Sequence, residues 1–427
     1  MRKILDLHIH SKYSRACSKN LTLENIGAAC RTKGIDVIAT GDFTHPKWFL
    51  DIKNQLEPCS GMAGRNMPDG TLYKLKTADD EKVKFILSTE LSLIYKDGGK
   101  ARRIHVVLHA PNIEAVEKLN SHLEKSGYNL KADGRPILGM KAPDLVKLCL
   151  SIDPMFLIYP AHIWTPWFSV FGSKSGFDSM EECFHEQIEH IYGLETGLSS
   201  DPEMNWRLSA LDKLTIISNS DAHSLPNLAR EANIMESDDL SYGEIYEAIK
   251  KKDLAKWKGT IEFYPEEGMY HYDGHREHNT RFTPAETKKN KGICPVCKKP
   301  LTIGVLYRVD QLADRPEGFK PKGAAPFIKL VELDKIIAES LGIKSRSSVK
   351  VQEEYKNMIA AGGTEVKILL DLPIEEIKKF TRAEIAEGIR RVRAGELKIE
   401  PGYDGEYGVV KIFGEGERPK TRQGKMF

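Results

Sequence analysis

Nearly every short apolar run in the first 262 residues stops at a histidine or a carboxylate, and this feature constrains the fold most. The runs are 4–9, 37–40, 85–87, 104–108, 156–159, 194–195 and 215–218. The polar residues at their ends are His8 and His10, Asp42, Glu90, His105 and His109, His162, Glu195, and Asp221 with His223. Between the runs lie helical patterns at 22–32, 113–125, 142–149 and 180–185. Strand alternating with helix predicts a parallel sheet, open or closed. A closed barrel gathers the strand ends on one face, whereas an open sheet spreads them along an edge. The ionisable ends therefore favour a barrel over residues 1–262.

His8-Ile9-His10 is the clearest local signal. Residues i and i+2 of a strand face one side, so both imidazoles can reach one ion. Imidazole nitrogen combined with carboxylate oxygen suits Zn, Mn or Fe better than Ca or Mg alone. Glu90 is the natural bridge between two ions, because its carboxylate can offer one oxygen to each. Such a cluster activates water and clamps a phosphate.

The set Thr40-Gly41-Asp42, Ser88-Thr89-Glu90, Ile104-His105, Ala161-His162 and Ser220-Asp221-Ala222-His223 resembles the polymerase-and-histidinol-phosphatase (PHP) superfamily of metal-dependent phosphoesterases. The resemblance implies an α/β fold: a distorted (β/α)7 PHP barrel holding two or three divalent metals (Zn, Mn or Mg). It implies His8, His10, Asp42, Glu90, His105, His162, Asp221 and His223 as ligands, with Asp221, Glu90, His162 and His223 carrying the catalysis. Two departures bear on the third metal. Asp42 stands where many members have a histidine, and the loop Ser11-Lys12-Tyr13-Ser14-Arg15 lacks their His or Asp. His45, in the turn after Asp42, is an alternative ligand, and His109 is a weaker one.

Over the whole chain the resemblance narrows. The segments 41–46, 195–202, 218–223, 270–276, 294–297 and 401–408 are similar to the endonuclease Q family of lesion-specific DNA nucleases. That likeness implies a small zinc-binding module and a helical C-terminal domain after the barrel. It also implies hydrolysis of the phosphodiester 5′ to a deaminated base (hypoxanthine, uracil, xanthine) or an abasic site in damaged DNA. The expected boundaries are 1–262 for the barrel, 263–318 for the zinc module, 319–413 for the helical domain and 414–427 for a flexible tail.

Cys294-Pro295-Val296-Cys297 has the C-x2-C spacing of a structural zinc site, and His275 and His278 supply a second pair at the same spacing. His271 is the rival for the place given to His275. The other cysteines of the seven are scattered in apolar contexts, which argues against a disulfide framework and for a reducing, cytoplasmic setting. No apolar run reaches membrane-spanning length, and Arg2, Lys3 and Asp6 come too early for a secretion signal.

Aromatic residues cluster after His162. Trp167 and Phe171 are expected to meet DNA, since an enzyme that tests a base must take it out of the stack, and Trp164 is expected either to join them or to cap the barrel core. Arg207 and Arg230, in neighbouring strand-end loops, are expected to reach phosphate or base. Lys378, Lys379, Arg382, Arg390, Arg391 and Arg393 form a second candidate phosphate surface. Net charge opposes broad nucleic-acid binding by charge alone: it is +2 overall, −3 before residue 263 and +5 after it. The last residues, Gln423, Met426 and Phe427, resemble a short motif for a bacterial sliding clamp. The rival readings are a small-molecule phosphatase on the same barrel and a non-catalytic DNA-binding protein on a decayed one.

Overall fold

The computed structural model describes residues 1–60, 70–238, 240–414 and 416–417. The proposed clamp motif at Gln423, Met426 and Phe427 lies outside the described residues.

Seven strands form a ring. Its members are Arg2–Asp6, Val37–Ala39, Lys84–Ile86 continuing as Ser88–Asp97, Lys100–His109, Leu157–Pro160, Gly193–Glu195 and Thr215–Ile217. Most are short and buried on both faces, as strands wrapped by helices must be. The ring closes where Ile9 bridges Ala222 in parallel, with the His10 amide donating to the Ala222 carbonyl and the Asp221 amide to that of His8. Closure thus brings the His-x-His segment directly against the Asp221 loop.

One strand departs from the parallel expectation. Ser88–Asp97 and Lys100–His109 pair antiparallel along their full lengths around Gly98 and Gly99, both at positive φ. Glycine meets that requirement without steric cost, and it is the usual hairpin solution. Lys100–His109 therefore runs against its neighbours. His105 reaches the mouth of the barrel from the middle of this strand, not from its C-terminal end as expected.

Helix packing follows ordinary capping and patterning. In Leu23–Lys33, Thr22 caps the first turn, and Gly34 ends the helix at φ +88° with its amide on the Cys30 carbonyl. Leu23, Ile26 and Cys30 form its buried stripe. The sheet then extends beyond the ring: Ala232–Glu236 pairs antiparallel with Arg2–Asp6, Trp257–Glu262 with Ala232–Glu236, and Phe327–Lys329 parallel with Trp257–Glu262.

Buried apolar residues form two groups. The larger fills the barrel and takes in Val305 and Val309. The second joins Ile4, Ala232, Ile261 and Tyr264 to helices Leu333–Ser340, Val349–Gly362 and Ala383–Ala394. A buried ion pair, Lys33 Nζ to Glu365 Oε2 at 2.9 Å, ties the barrel to these helices. The expected phosphate surface is largely spent inside this region. Arg390 bonds Glu387 and Glu396, Arg391 bonds Glu387 and Glu417, and Arg393 donates to the carbonyls of Leu369 and Ile368.

Glu262 ends the Trp257–Glu262 strand fully buried, hydrogen-bonded by Thr196 at 3.2 Å and by Thr260. Burial, reinforced by the charge of Asp201, pushes its carboxyl up to about 8. The folded protein thus keeps a proton that the unfolded chain loses near pH 4.5. This contribution to stability is complete at low pH and is lost as pH rises from about 4.5 towards 8. Glu262→Gln is expected to raise the melting temperature at pH 8 and to flatten its fall between pH 5 and 8; calorimetric scans across that range check it.

Candidate metal centre

His8 and His10 are held by matched devices. The Nδ1 atom of His8 lies 3.0 and 3.1 Å from the Glu195 carboxylate oxygens. Glu195 is itself fixed by the Asn219 side chain at 2.8 Å and the His162 amide at 2.9 Å. The Nδ1 atom of His10 lies 3.0 Å from Asp42 Oδ1. The other Asp42 oxygen accepts from the Ser11 amide and hydroxyl, both at 2.7 Å, and from the Ser14 hydroxyl at 2.9 Å. A carboxylate on Nδ1 keeps that nitrogen protonated and leaves Nε2 as a bare donor.

Both Nε2 atoms point at Glu90 and Asp221. His10 Nε2 is 3.3 Å from Glu90 Oε2 and 3.1 Å from Asp221 Oδ1, and His8 Nε2 is 3.7 and 3.9 Å from the same atoms. His8 Nε2, His10 Nε2 and Asp221 Oδ1 are buried, and none has a hydrogen bond. Such orphaned atoms are costly unless something else satisfies them. A divalent ion held by His8, His10, Glu90 and Asp221 fits this donor set, whose ligand atoms all lie within 4.8 Å of one another.

Glu90 faces a second group with its other oxygen. Oε1 is 2.8 Å from His105 Nδ1 and 3.0 Å from His162 Nε2, and these two nitrogens are 3.2 Å apart. The second set, Glu90, His105 and His162, shares only Glu90 with the first. Burial alone would raise the Glu90 carboxyl; the imidazoles of His105 and His8 and the Arg135 guanidinium hold it well below the ordinary range. It is thus a permanent anion with imidazoles on both sides.

The loops that present these groups are strained. Asp42, His162 and Asp221 have φ of +48°, +28° and +45°, a region unfavourable to non-glycine residues by about 1–3 kcal/mol each.

Asp42 is not a ligand in either group. Both its oxygens are occupied, and it orients His10 instead. Its two serine partners come from the loop that lacks the ligands expected there, so the two departures from the superfamily pattern are one device. His223 also stands outside the groups, with Nδ1 2.8 Å from the Asp221 main-chain oxygen and 3.7 Å from its carboxylate. His45 stacks on Tyr13, and His109 lies within the barrel with Nε2 3.0 Å from the Tyr159 hydroxyl, pushed down to about 3 by burial. Sequence reasoning placed Glu195 at a strand end without giving it a role, and missed Arg135, whose Nη1 is 2.9 Å from Glu90 Oε2. Only the turn-like Asp133-Gly134-Arg135-Pro136 marks that arginine in the sequence.

His275, His278, Cys294 and Cys297 come together, their ligand atoms within 4.8 Å, and the two imidazoles stack 4.6 Å apart. His271 is buried against Tyr272 and outside this group.

The residues expected to meet DNA divide. Trp164 and Phe171 are buried against each other, and the Trp164 indole donates to Asn205 at 2.8 Å. Arg308, beyond the Cys/His cluster, donates to the carbonyls of Phe171 and Phe177 and locks that loop from behind. These two aromatics are core, not a DNA surface. Arg207 is nearly buried and bonds Asp310 at 2.6 Å, a structural joint. Trp167 is 39% exposed, meets Tyr270 edge to face, and lines a cavity of about 530 Å³ with Arg230, Phe263 and Lys335. Arg230 also donates to the main-chain oxygens of Ser220 at 2.9 Å and Asp221 at 3.4 Å, so it braces the Asp221 loop.

Comparison with known proteins gives the same frame. The structure of the lesion-specific endonuclease PfuEndoQ from Pyrococcus furiosus is 30% identical, with a TM-score of 0.83 over 99% of this chain and 98% of that one. An endonuclease Q bound to a 27-mer duplex with an abasic lesion at the active site is 31% identical, with a TM-score of 0.83 over 99% of both chains. The chain belongs to the endonuclease Q family. The uncharacterized protein YqxK of Bacillus subtilis is 27% identical over 421 residues, covering 96% of this chain and 100% of that one. Residues 332–396 match the family described as the MJ0043 C-terminal domain. The uncharacterized protein MJ0043 of Methanocaldococcus jannaschii is 33% identical over 256 residues, and the match spans 58% of this chain but only 31% of that longer relative. Among the described residues, no helix is long and apolar enough to cross a membrane.

The orienting carboxylates allow a direct check. Glu195→Gln and Asp42→Asn are expected to weaken divalent-metal affinity about 10- to 100-fold, with the circular dichroism spectrum unchanged. Titration of the metal-free protein with Mn or Zn measures this.

Proposed function

We propose that this member of the endonuclease Q family is a metal-dependent endonuclease that cuts DNA on the 5′ side of a damaged site. The observation that carries the reading is Glu90: one buried carboxylate faces His8 and His10 with one oxygen and His105 and His162 with the other. His8, His10, Glu90 and Asp221 would hold one ion, and Glu90, His105 and His162 a second. Bound there, divalent ions supply Lewis acidity towards the phosphate and lower the pKa of water.

The chain's own groups do the positioning. Asp221, 21% exposed at its side chain, stands at the mouth and orients the attacking water. The Asp221 carbonyl engages His223 Nδ1 and keeps a proton there, so Nε2, once it has taken up a second proton from solvent, is the atom that gives it to the leaving 3′ oxygen. Incision leaves a 3′-hydroxyl and a 5′-phosphate. The cavity walled by Trp167, Tyr270, Phe263 and Arg230 receives the displaced nucleotide, with the aromatic faces replacing lost stacking. The substrates are an abasic site and the deaminated bases hypoxanthine, uracil and xanthine. The Cys/His cluster takes a structural zinc and stiffens the module behind the Trp167 loop.

The test uses end-labelled duplexes carrying one deoxyinosine, one deoxyuridine, one abasic site or no lesion, each with Mn, Mg or Zn. A single cut 5′ of the lesion is expected, absent from the plain duplex and reduced at least about 10³-fold in Asp221→Ala. Hydrolysis of small phosphomonoesters without any DNA cleavage would move the function to a phosphatase on the same barrel.

A further inference from the structure

Arg135 places a guanidinium in the carboxylate cluster. Among the described residues, no other lysine or arginine side chain pairs with Glu90, Asp221, Asp42 or Glu195. Its place is built. A Cβ on the preceding Gly134 would lie 2.3 Å from both Asp42 Oδ2 and Ser14 Oγ, so only glycine lets this loop come so near. The Gly134 amide donates to the Tyr13 carbonyl at 3.2 Å and the Arg135 amide to Asp133 at 3.0 Å. On the far side, the Ser92 amide donates to the Pro136 carbonyl at 3.1 Å. The segment is therefore pinned to both the His10 loop and the Glu90 strand.

The side chain is under-used for such an anchored position. Its guanidinium makes one hydrogen bond, Nη1 to Glu90 Oε2 at 2.9 Å, and the side chain remains 26% exposed. A guanidinium carries five donors in a planar fork that matches phosphate oxygens. An ion held by His8, His10, Glu90 and Asp221 would compete with Arg135 for Oε2, and its charge would repel the guanidinium. Its unused donors and its partial exposure leave it able to meet a phosphate that enters beside Glu90.

We propose that Arg135 is a further catalytic residue, whose guanidinium binds a non-bridging oxygen of the scissile phosphate and steadies the charge that grows there. The proposal rests on the phosphodiesterase reading above. It assigns the arginine to phosphate, not to the assembly of the metal site.

Three measurements on the metal-loaded full chain decide it: metal content, calorimetric affinity for inorganic phosphate, and kcat and KM on an abasic duplex, for wild type, Arg135→Lys and Arg135→Ala. Arg135→Ala is expected to keep its metal, to bind inorganic phosphate at least about 10-fold more weakly, and to lose about 10²–10³-fold in kcat. KM for the duplex changes little, because the rest of the DNA still binds, and Arg135→Lys recovers part of kcat by restoring the charge without the fork. Unchanged phosphate affinity and kcat would overturn the proposal. So would a loss of metal from Arg135→Ala in step with its loss of activity, since that makes the arginine a counter-charge of the ligand cluster. If the wild type cuts none of the lesion duplexes yet Arg135→Ala still loses phosphate affinity, the DNA reading fails and takes the catalytic role with it, and Arg135 is left as a phosphate-binding residue only.

Discussion

Two hydrogen bonds set the site: His8 Nδ1 on Glu195 and His10 Nδ1 on Asp42. Each takes up the proton-bearing nitrogen of an imidazole and turns the other towards Glu90 and Asp221. If either is removed, the ring is free to rotate or change tautomer, and a buried Nε2 no longer faces the cluster. The orienting carboxylates are fixed in turn by Asn219, Ser11, Ser14 and main-chain amides. Preorganisation here is a chain of buried hydrogen bonds several residues deep.

The barrel exists to make those bonds possible. The Ile9–Ala222 bridge seats the His-x-His segment beside the Asp221 loop, and the reversed strand brings His105 to the same mouth from the opposite direction. The result is a buried carboxylate, Glu90, between two sets of imidazoles. Positive φ at Asp42, His162 and Asp221 means that the surrounding packing dictates these backbones against their local preference. The second apolar group and the Lys33–Glu365 pair join the helical C-terminal region to the barrel.

Much of this was legible in the sequence, for a physical reason. Strand periodicity of two makes His8 and His10 co-facial from spacing alone, and an ionisable residue after an apolar run marks a strand end at Glu195, though Glu90 and His105 lie within their strands. The helix Ile113–Lys125 and the Cys/His cluster were readable in the same local way. What was not readable depends on partners distant in sequence. Asp42 looked like a ligand because nothing local shows that Ser11 and Ser14 consume its second oxygen. Phe171 looked like a DNA contact, and Trp164 could be read as contact or core, because Asn205 and the Arg308 lock lie far along the chain. Arg391 and Arg393 looked free because Glu417 and the Ile368 and Leu369 carbonyls meet them only in the fold, whereas Arg390 is paired by Glu387 and Glu396, three and six residues away. The reversed strand was missed because a parallel reading passed over the Gly98-Gly99 turn.

The site as described requires Glu90 to serve two ions, one on each side. Crystals of the protein grown with Mn, with anomalous diffraction measured at the Mn and Zn edges, test it most directly. One peak is expected within bonding reach of His8, His10, Glu90 and Asp221, and a second at Glu90, His105 and His162. A separate zinc peak is predicted at His275, His278, Cys294 and Cys297. A single ion in the barrel that leaves Glu90 unbound, or one ligated by Asp42, would contradict it.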